Sequence, residues 1–590
     1  MTIRNSVASA VSLLVGCGTA AFAFVGTASA DDSFLKPGSL VISSSTYEDV
    51  GQVAALNVES GAQQLPADGS SGYLSGVPSS TGNYVTVWNN ANNDGSFGVS
   101  SPIFLTAVEP SSGRELGRLA VPEEQVVTSF SSKSELSLHY SRDERGGHLV
   151  FAGYGGVGVG VLDASNSDAV PNQDPTNPVT VWEPGFHAPR TIVSLDDFGH
   201  FSYTPTQNYG GNNGRSALLA PNGLYYTVGN SNNGSADAFG SASNGTNPDV
   251  TTTTGVEVVQ PINSWSATEL IAAKKYATSA EVNPTLQFGY DKGSNDKAGK
   301  DNNFRGLTEY KGALYFTKGS GSNGSNTVYT IIDSSQYPQY LTGYQPVSYK
   351  STALTYSNSE TGGTSGLSPV PEPLAGNVLP TIADATGPNA NNLAIRILNG
   401  FPDDPARKAG NFSPFALFFA NDTTLYVTDE GDGGVNSTNT NPQDNIPQNA
   451  GLQKWSLVNG VWKLDYVLQQ GLIGTTNSNL RDRNGQNPYP TVTTFGLRNL
   501  AGRVNRDGTV TLWATTATGS TSGDTGADPN EVVEITDSLA ATTVTPAVAS
   551  ETFSIVKPAV YGNVYRGVAY IPGDDDHGHG FGDDFGHDHR

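Results

Sequence analysis

The final eighteen residues, GDDDHGHGFGDDFGHDHR (573–590), interleave imidazole with carboxylate. His577, His579, His587 and His589 stand among Asp574, Asp575, Asp576, Asp583, Asp584 and Asp588, so this stretch holds half of the chain's eight histidines. Such donors, spaced by glycine, suit borderline divalent ions, and the stretch reads as a zinc, nickel or copper site on a disordered tail. The competing reading is a solubilising acidic end. A second acidic cluster, Asp429-Glu430-Gly431-Asp432-Gly433, follows a β-rich run, and its glycines would let Asp429, Glu430 and Asp432 converge on calcium. Asp291, Asp296 and Asp301, like Asp524 and Asp528, repeat this theme in loops. None of these spacings matches the helix-loop-helix calcium motif. A third set is cationic. Arg215, Arg305 and Arg566 each open a β-rich phrase, with Arg498 or Arg503 at a related point. Guanidinium groups that converge from several strands clamp a carboxylate, sulfate or phosphate bidentately.

Composition narrows the chemistry around these residues. The 590-residue chain carries 31 Lys and Arg against 55 Asp and Glu, a formal charge of -24. A nucleic acid would meet a repulsive field with no basic stripe to offset it. Met1 and Cys17 are the only sulfur-bearing residues, and both fall in the first thirty. Those residues read as an export signal: Arg4, an apolar stretch, then Ala28-Ser29-Ala30 before Asp31. The mature chain is therefore expected outside the cell, without disulfides, thiolate nucleophile or Cys ligands. Leu14-Val15-Gly16-Cys17 also fits a lipid attachment signal, which would give a lipid-anchored surface protein or a periplasmic one. The apolar run continuing through Val25 favours soluble export. No other stretch approaches the length of a membrane helix. There is no GxSxG nucleophile motif and no phosphate loop. Gly153–Gly160 imitates a dinucleotide fingerprint but lacks the following helix, and reads as a glycine-rich strand pair; no nucleotide cofactor is expected. His139, His148, His187 and His200 are the only histidines before the tail, and their spacing forms no short metal motif.

The elements that must carry these groups are strands. FRGLTEYKGALYFTKGSGSNGSNTVYTIIDSS (304–335) reads as strand, Lys-Gly turn, strand, polar turn, strand. Hairpins of the same type recur at 214–230, 413–431, 451–467 and 500–516, and another at 103–121. Helical periodicity is nearly invisible. The ends of the chain are complementary. YRGVAYIPG (565–573) repeats the first half of the phrase at 304, and GSLVISSSTYEDVGQVAALNVESG (38–61) parallels its second half. One blade of a ring would thus take its inner strand from the C-terminus and its outer strands from the N-terminus, leaving no open sheet edge. The expectation is an all-β fold, a seven- or eight-bladed β-propeller over residues 31–573, after a signal at 1–30 and before the tail at 574–590. Long insertions are read at 236–254, 355–389, 433–449 and 474–490. A β-sandwich followed by a smaller propeller is the alternative.

The phrases Phe304-Arg305-Gly306-Leu307, Gly312-Ala313-Leu314-Tyr315 and Tyr565-Arg566-Gly567-Val568 resemble the blade grammar of secreted bacterial propellers of the lactonase-like and surface-layer repeat type. That resemblance implies fold and no activity, because propellers host binding proteins, hydrolases, lyases and oxidoreductases alike. Arg215, Arg305, Arg498 and Arg566 would then ring one mouth of the central channel. They would bind an anionic small molecule or extracellular polymer there, or else lock each blade to the next. Two function classes remain. One is a monomeric secreted or cell-surface binding protein with an accessory metal tail. The other is a metal-dependent hydrolase or lyase of an anionic ester or lactone.

Overall fold

The computed structural model describes residues 33–46, 99–130, 136–143, 146–159, 164, 188–210, 212–230, 255–262, 266–282, 303–319, 325–333, 335, 378–386, 392–402, 404–405, 412–431, 449–481, 485–487, 489–520 and 526–573. These residues form six antiparallel sheets arranged around a ring. Four-residue and longer strands rich in Val, Tyr, Phe, Ile and Thr alternate with Gly, Asn and Asp turns, which is why hairpins dominate. Lys311 and Gly312, both at positive φ, make the turn between Leu307–Tyr310 and Ala313–Lys318.

Blade one is the closing blade. Its strands run Asn563–Tyr570, Leu40–Thr46, Ile103–Val108, Glu115–Ala120 from the centre outward. The register sets Leu40 opposite Tyr570 and Thr46 opposite Asn563, so the N-terminal strand is stapled to the C-terminal one as expected. The outer strand is different. Ile103–Val108 pairs with Leu40–Thr46, while residues 47–98, which include the 53–61 half of the expected hairpin, lie outside the described residues. The inner strands of blades two to six are His139–Asp143, Gly214–Leu219, Leu307–Tyr310, Pro414–Asn421 and Val492–Val504.

The ring has six blades, which corrects the expected seven or eight. The chain spends its length on wider sheets instead of more of them. Val99–Ser101 and Val126–Phe130 extend blade two, and Thr476–Asn477 with Ser554–Lys557 extends blade six. Residues 231–254, 336–377 and 432–448, which contain most of the expected insertions, lie outside the described residues. Gly146–Gly155 is likewise one long strand, so the glycine run beyond Gly153 ends a strand and does not form a strand pair.

Apolar packing lies between adjacent blades. Leu218, Tyr226 and Val258 of blade three, Leu314, Phe316 and Ile331 of blade four, and Trp455 and Trp462 of blade five belong to one continuous apolar cluster. Trp513 stacks on Tyr570 at 5.2 Å across the junction of blades six and one. A polar device recurs alongside this packing. Thr317 Oγ1 accepts the Gly306 N–H of its own inner strand at 3.0 Å and donates to the Phe415 carbonyl of the next blade at 2.7 Å. Ser43 does the same between Gly567 N–H and the Leu136 carbonyl, each at 2.7 Å. Thr428 bridges Ala416 N–H to the Arg498 carbonyl, and Thr515 bridges Asn499 N–H to the Arg566 carbonyl. Each bridge satisfies two buried backbone groups near the irregular start of an inner strand.

Candidate anion-binding mouth

The bridges align the blades residue by residue. Carbonyls of Leu136, Phe415, Arg498 and Arg566 accept equivalent hydroxyls, and Arg305 precedes Gly306 as Arg566 precedes Gly567. With Arg215 at the second residue of Gly214–Leu219, the six equivalent positions are occupied by Arg566, Leu136, Arg215, Arg305, Phe415 and Arg498. Four are arginine. Arg498 holds the ring position. Arg503 lies further along the same strand, where it donates to Asn505 Oδ1 at 2.8 Å and to Tyr570 OH at 3.2 Å.

The four ring arginines are buried, with exposures of 7 % for Arg215 and Arg305, 6 % for Arg498 and 3 % for Arg566. Arg305 Nη1 and Arg498 Nε donate to opposite oxygens of Glu430 at 2.9 and 3.1 Å. One carboxylate therefore holds two guanidinium groups from blades four and six, over the inner end of blade five. Arg305 also lies 5.4 Å from the centroid of Phe415, a cation–π arrangement. Burial lowers the Arg305 pKa, the Glu430 carboxylate opposes that, and neighbouring Arg498 adds to it. Arg215 Nε donates to Asn303 Oδ1 at 2.7 Å. The glycine after each motif arginine is required by close approach. A Cβ at Gly306 would meet the Phe415 oxygen at 1.9 Å, and one at Gly567 the Leu136 oxygen at 2.1 Å.

The acidic loop beside this mouth turns its oxygens inward. Asp429 accepts the N–H groups of Ser413 and Gly431, each at 2.9 Å, and the Gln453 amide at 3.2 Å. Glu430 serves the two arginines, and Asp432 lies outside the described residues. Asp291, Asp296, Asp301, Asp524 and all tail residues from Asp574 to His589 do so too. Asp528 accepts from Tyr489 OH at 2.8 Å and Ser520 Oγ at 2.6 Å. Among the described residues no group of three or more His, Cys, Asp or Glu side chains converges as a metal site, and no helix is long and apolar enough to cross a membrane.

The histidines divide. His139, on the inner strand of blade two, contacts Ser216 Oγ of blade three through Nε2 at 2.8 Å, and desolvation pushes its pKa down to about 4. It is uncharged at neutral pH. His148 and Ser194 help line a cavity of about 210 Å³ between blades two and three, with Ser202, Tyr225 and Gln260. His148 Nδ1 stands 3.4 Å from Ser194 Oγ and Nε2 stands 3.3 Å from Asp143 Oδ1. Both exceed the reach of a working nucleophile–base bond, so this chain reads as polar lining. His200 is on an exposed turn beside Asp196, and His187 lies outside the described residues. Sequence reasoning missed Glu430 as the partner of the arginines, because residues 305, 430 and 498 meet only through ring closure. It also missed Glu257 and Glu281, although a lone charge in the apolar run GVEVV was a visible signal.

No protein family matches the chain, and no curated protein does. Two solved structures of an ulvan lyase from polysaccharide lyase family PL25, one bound to a GlcA–Rha3S disaccharide repeat, superpose with TM-scores of 0.27 and 0.26 at 10 % and 9 % identity, each over 80 % of this chain and 91 % of the other. Superposition this loose assigns neither activity nor site residues here.

Proposed function

We propose that the chain is a secreted propeller that binds an anionic extracellular polymer, or an anionic small molecule, at the mouth where its inner strands begin. The observation that carries this reading is the recurrence of arginine at four of six equivalent inner-strand positions. A purely architectural residue would serve every junction alike, whereas Leu136 and Phe415 interrupt the series. Arg305 and Arg498 are pre-oriented by Glu430, which lowers the entropic cost of presenting a guanidinium fork. The mouth would be a local cationic focus on an acidic protein, so affinity should fall steeply with salt. We further propose that the Asp/His tail is a separate metal module. Its attachment at Gly573 lies beyond the far end of Asn563–Tyr570, about 20 Å along the strand from Arg566.

Turnover is the second reading. It is favoured by His139, which stays uncharged one blade from Arg215. A lyase acting beside a carboxylate needs that charge neutralised and an unprotonated base. A pKa near 4 keeps His139 available but makes it a weak base, so binding stands first. Incubation of the protein with a uronate or sulfated polysaccharide separates the readings. Retention of the polymer with unchanged chain length supports binding, and shortening with an unsaturated product supports the lyase. Neither retention nor shortening would refute both.

A further inference from the structure

The outer half of blade three carries two carboxylates that the arginine mouth does not use. Glu257 lies within Gly255–Val259 and Glu281 ends Ser279–Glu281, and the register places them directly opposite each other. Opposed side chains leave a sheet on the same face with Cβ atoms about 4.5–5.5 Å apart. That face looks toward blade two, since Val259 and Tyr225 from it pack with Val150, Ala152 and Ile192. Glu257 is 0 % exposed and Glu281 7 %. Among the described residues, neither oxygen of Glu257, nor Oε2 of Glu281, has a hydrogen-bond partner, so the carboxyl groups do not bond to one another either.

Like charges placed opposite each other repel, and a desolvated carboxylate without a partner is strongly unfavourable. Burial and then the neighbouring charge push Glu257 well above the usual carboxylate range, and burial does the same to Glu281. Protonation would remove the charges but leave these oxygens unpartnered. A doubly charged cation removes both penalties at once, because two carboxylates balance it. The surroundings supply neutral oxygen donors. Tyr209 OH contacts Thr227 Oγ1 at 2.8 Å and the Gly255 carbonyl at 3.1 Å, and Thr227 is the residue opposite Glu257 on its other side. Asn208, also fully buried, accepts from Ser279 Oγ at 2.8 Å, and its amide nitrogen has no partner among the described residues, an arrangement that an amide flip would turn into a further oxygen donor. Oxygen donors without imidazole or thiolate select a hard cation.

We propose that Glu257 and Glu281 hold a divalent cation of the calcium class within the interface between blades two and three. The site lies two strands outward from Gly214–Leu219, about 10 Å from the inner strand, and it is independent of anion binding at the mouth. It would clamp the outer part of a junction whose inner strands meet through the His139–Ser216 contact.

The test is thermal melting of the full chain, freed of metal with EDTA and then titrated with calcium chloride, alongside Glu257→Gln, Glu281→Gln and the double variant. Binding to the folded state alone raises the melting temperature with ligand concentration. The expected result is a rise of several degrees in the wild type, lost in the double variant. In EDTA near neutral pH the double variant should melt above the wild type, because two amides bury neither charge nor protons taken up on folding. A wild type that melts at one temperature in EDTA, calcium, magnesium and manganese overturns the proposal and leaves a protonated acid pair. A calcium response that survives in the double variant also overturns it. Should the double variant not fold, Glu281→Gln at the rim of the site supplies the same comparison.

Discussion

Arg305 and Arg498 stand two blades apart on the ring and meet on opposite oxygens of one carboxylate, Glu430, at 2.9 and 3.1 Å. All three side chains are buried. The arrangement holds two guanidinium groups in fixed orientation at one end of the channel and ties three consecutive blades together. Removing the central carboxylate leaves two buried cations facing each other. Glu430→Gln is therefore expected to cost about 3–5 kcal/mol, the range for breaking a buried pair by removing one partner. Urea unfolding measures it directly; a loss below about 1 kcal/mol would show the pair to be solvated.

The hydroxyl bridges give a second prediction. Thr317→Val keeps the shape but strips the Gly306 N–H and the Phe415 carbonyl of their shared partner. A loss of about 1–3 kcal/mol is expected from the stranded buried groups. Gly306→Ala should be worse, since its Cβ would meet the Phe415 oxygen at 1.9 Å, while Gly306 has no exposed side to relax into. Ala at Gly508 meets nothing within 4 Å and should cost only the strain of its positive φ, about 1 kcal/mol.

These bridges also mark where the sequence stops being legible. The hairpins at 214–230, 304–335, 413–431, 451–467 and 500–516 are written in local alternation and turn residues, and each is present. Closure by Asn563–Tyr570 with Leu40–Thr46 was readable because the two halves of one phrase sit at opposite ends of the chain. Blade number was not readable. Strands such as Val126–Phe130 and Ser554–Lys557 join existing sheets through non-local ladders that leave no mark in local pattern. The arginine series was visible at the starts of β-rich phrases, two of them Arg-Gly, and the Thr428 bridge fixes Arg498, not Arg503, at the ring position. The meeting of Glu257 with Glu281 is likewise a product of register across a turn and a short helix, Ala267–Ala272.

Lys454 and Asp537 form a fully buried pair at 3.0 Å between blades five and six, with Tyr426 and Tyr466 donating to the carboxylate at 2.5 and 2.7 Å. Lys454→Met removes the cation and also the donor to the Ser538 and Leu539 carbonyls. The expected loss is about 3–5 kcal/mol, and the double variant with Asp537→Asn should recover part of it. Full additivity of the two changes in denaturant unfolding would contradict the coupling.

Glu551 borders this network, and burial, the Asp537 charge and their shared hydrogen bond push its pKa up to about 8. The folded state thus holds its proton more tightly than the unfolded chain does. The sign is that of a raised group: its contribution to stability is fully present below the unfolded carboxylate pKa and is lost as pH rises through about 8. The wild type should lose stability across that window, and Glu551→Gln should flatten the profile. Superimposable pH profiles of the two proteins would remove Glu551 from the account.

The most direct test of the anion-binding mouth is calorimetric titration with a sulfated or uronate polysaccharide and with a neutral one of equal length. It should compare the wild type with Arg215→Ala/Arg566→Ala and with the corresponding double Lys variant, each first shown to be folded by thermal melting. Binding of the anionic polymer only is expected, weakened at least about tenfold by the Ala pair and partly by the Lys pair, which keeps charge but loses the planar fork. Equal affinity in wild type and Ala variant, or equal affinity for the neutral polymer, would contradict it.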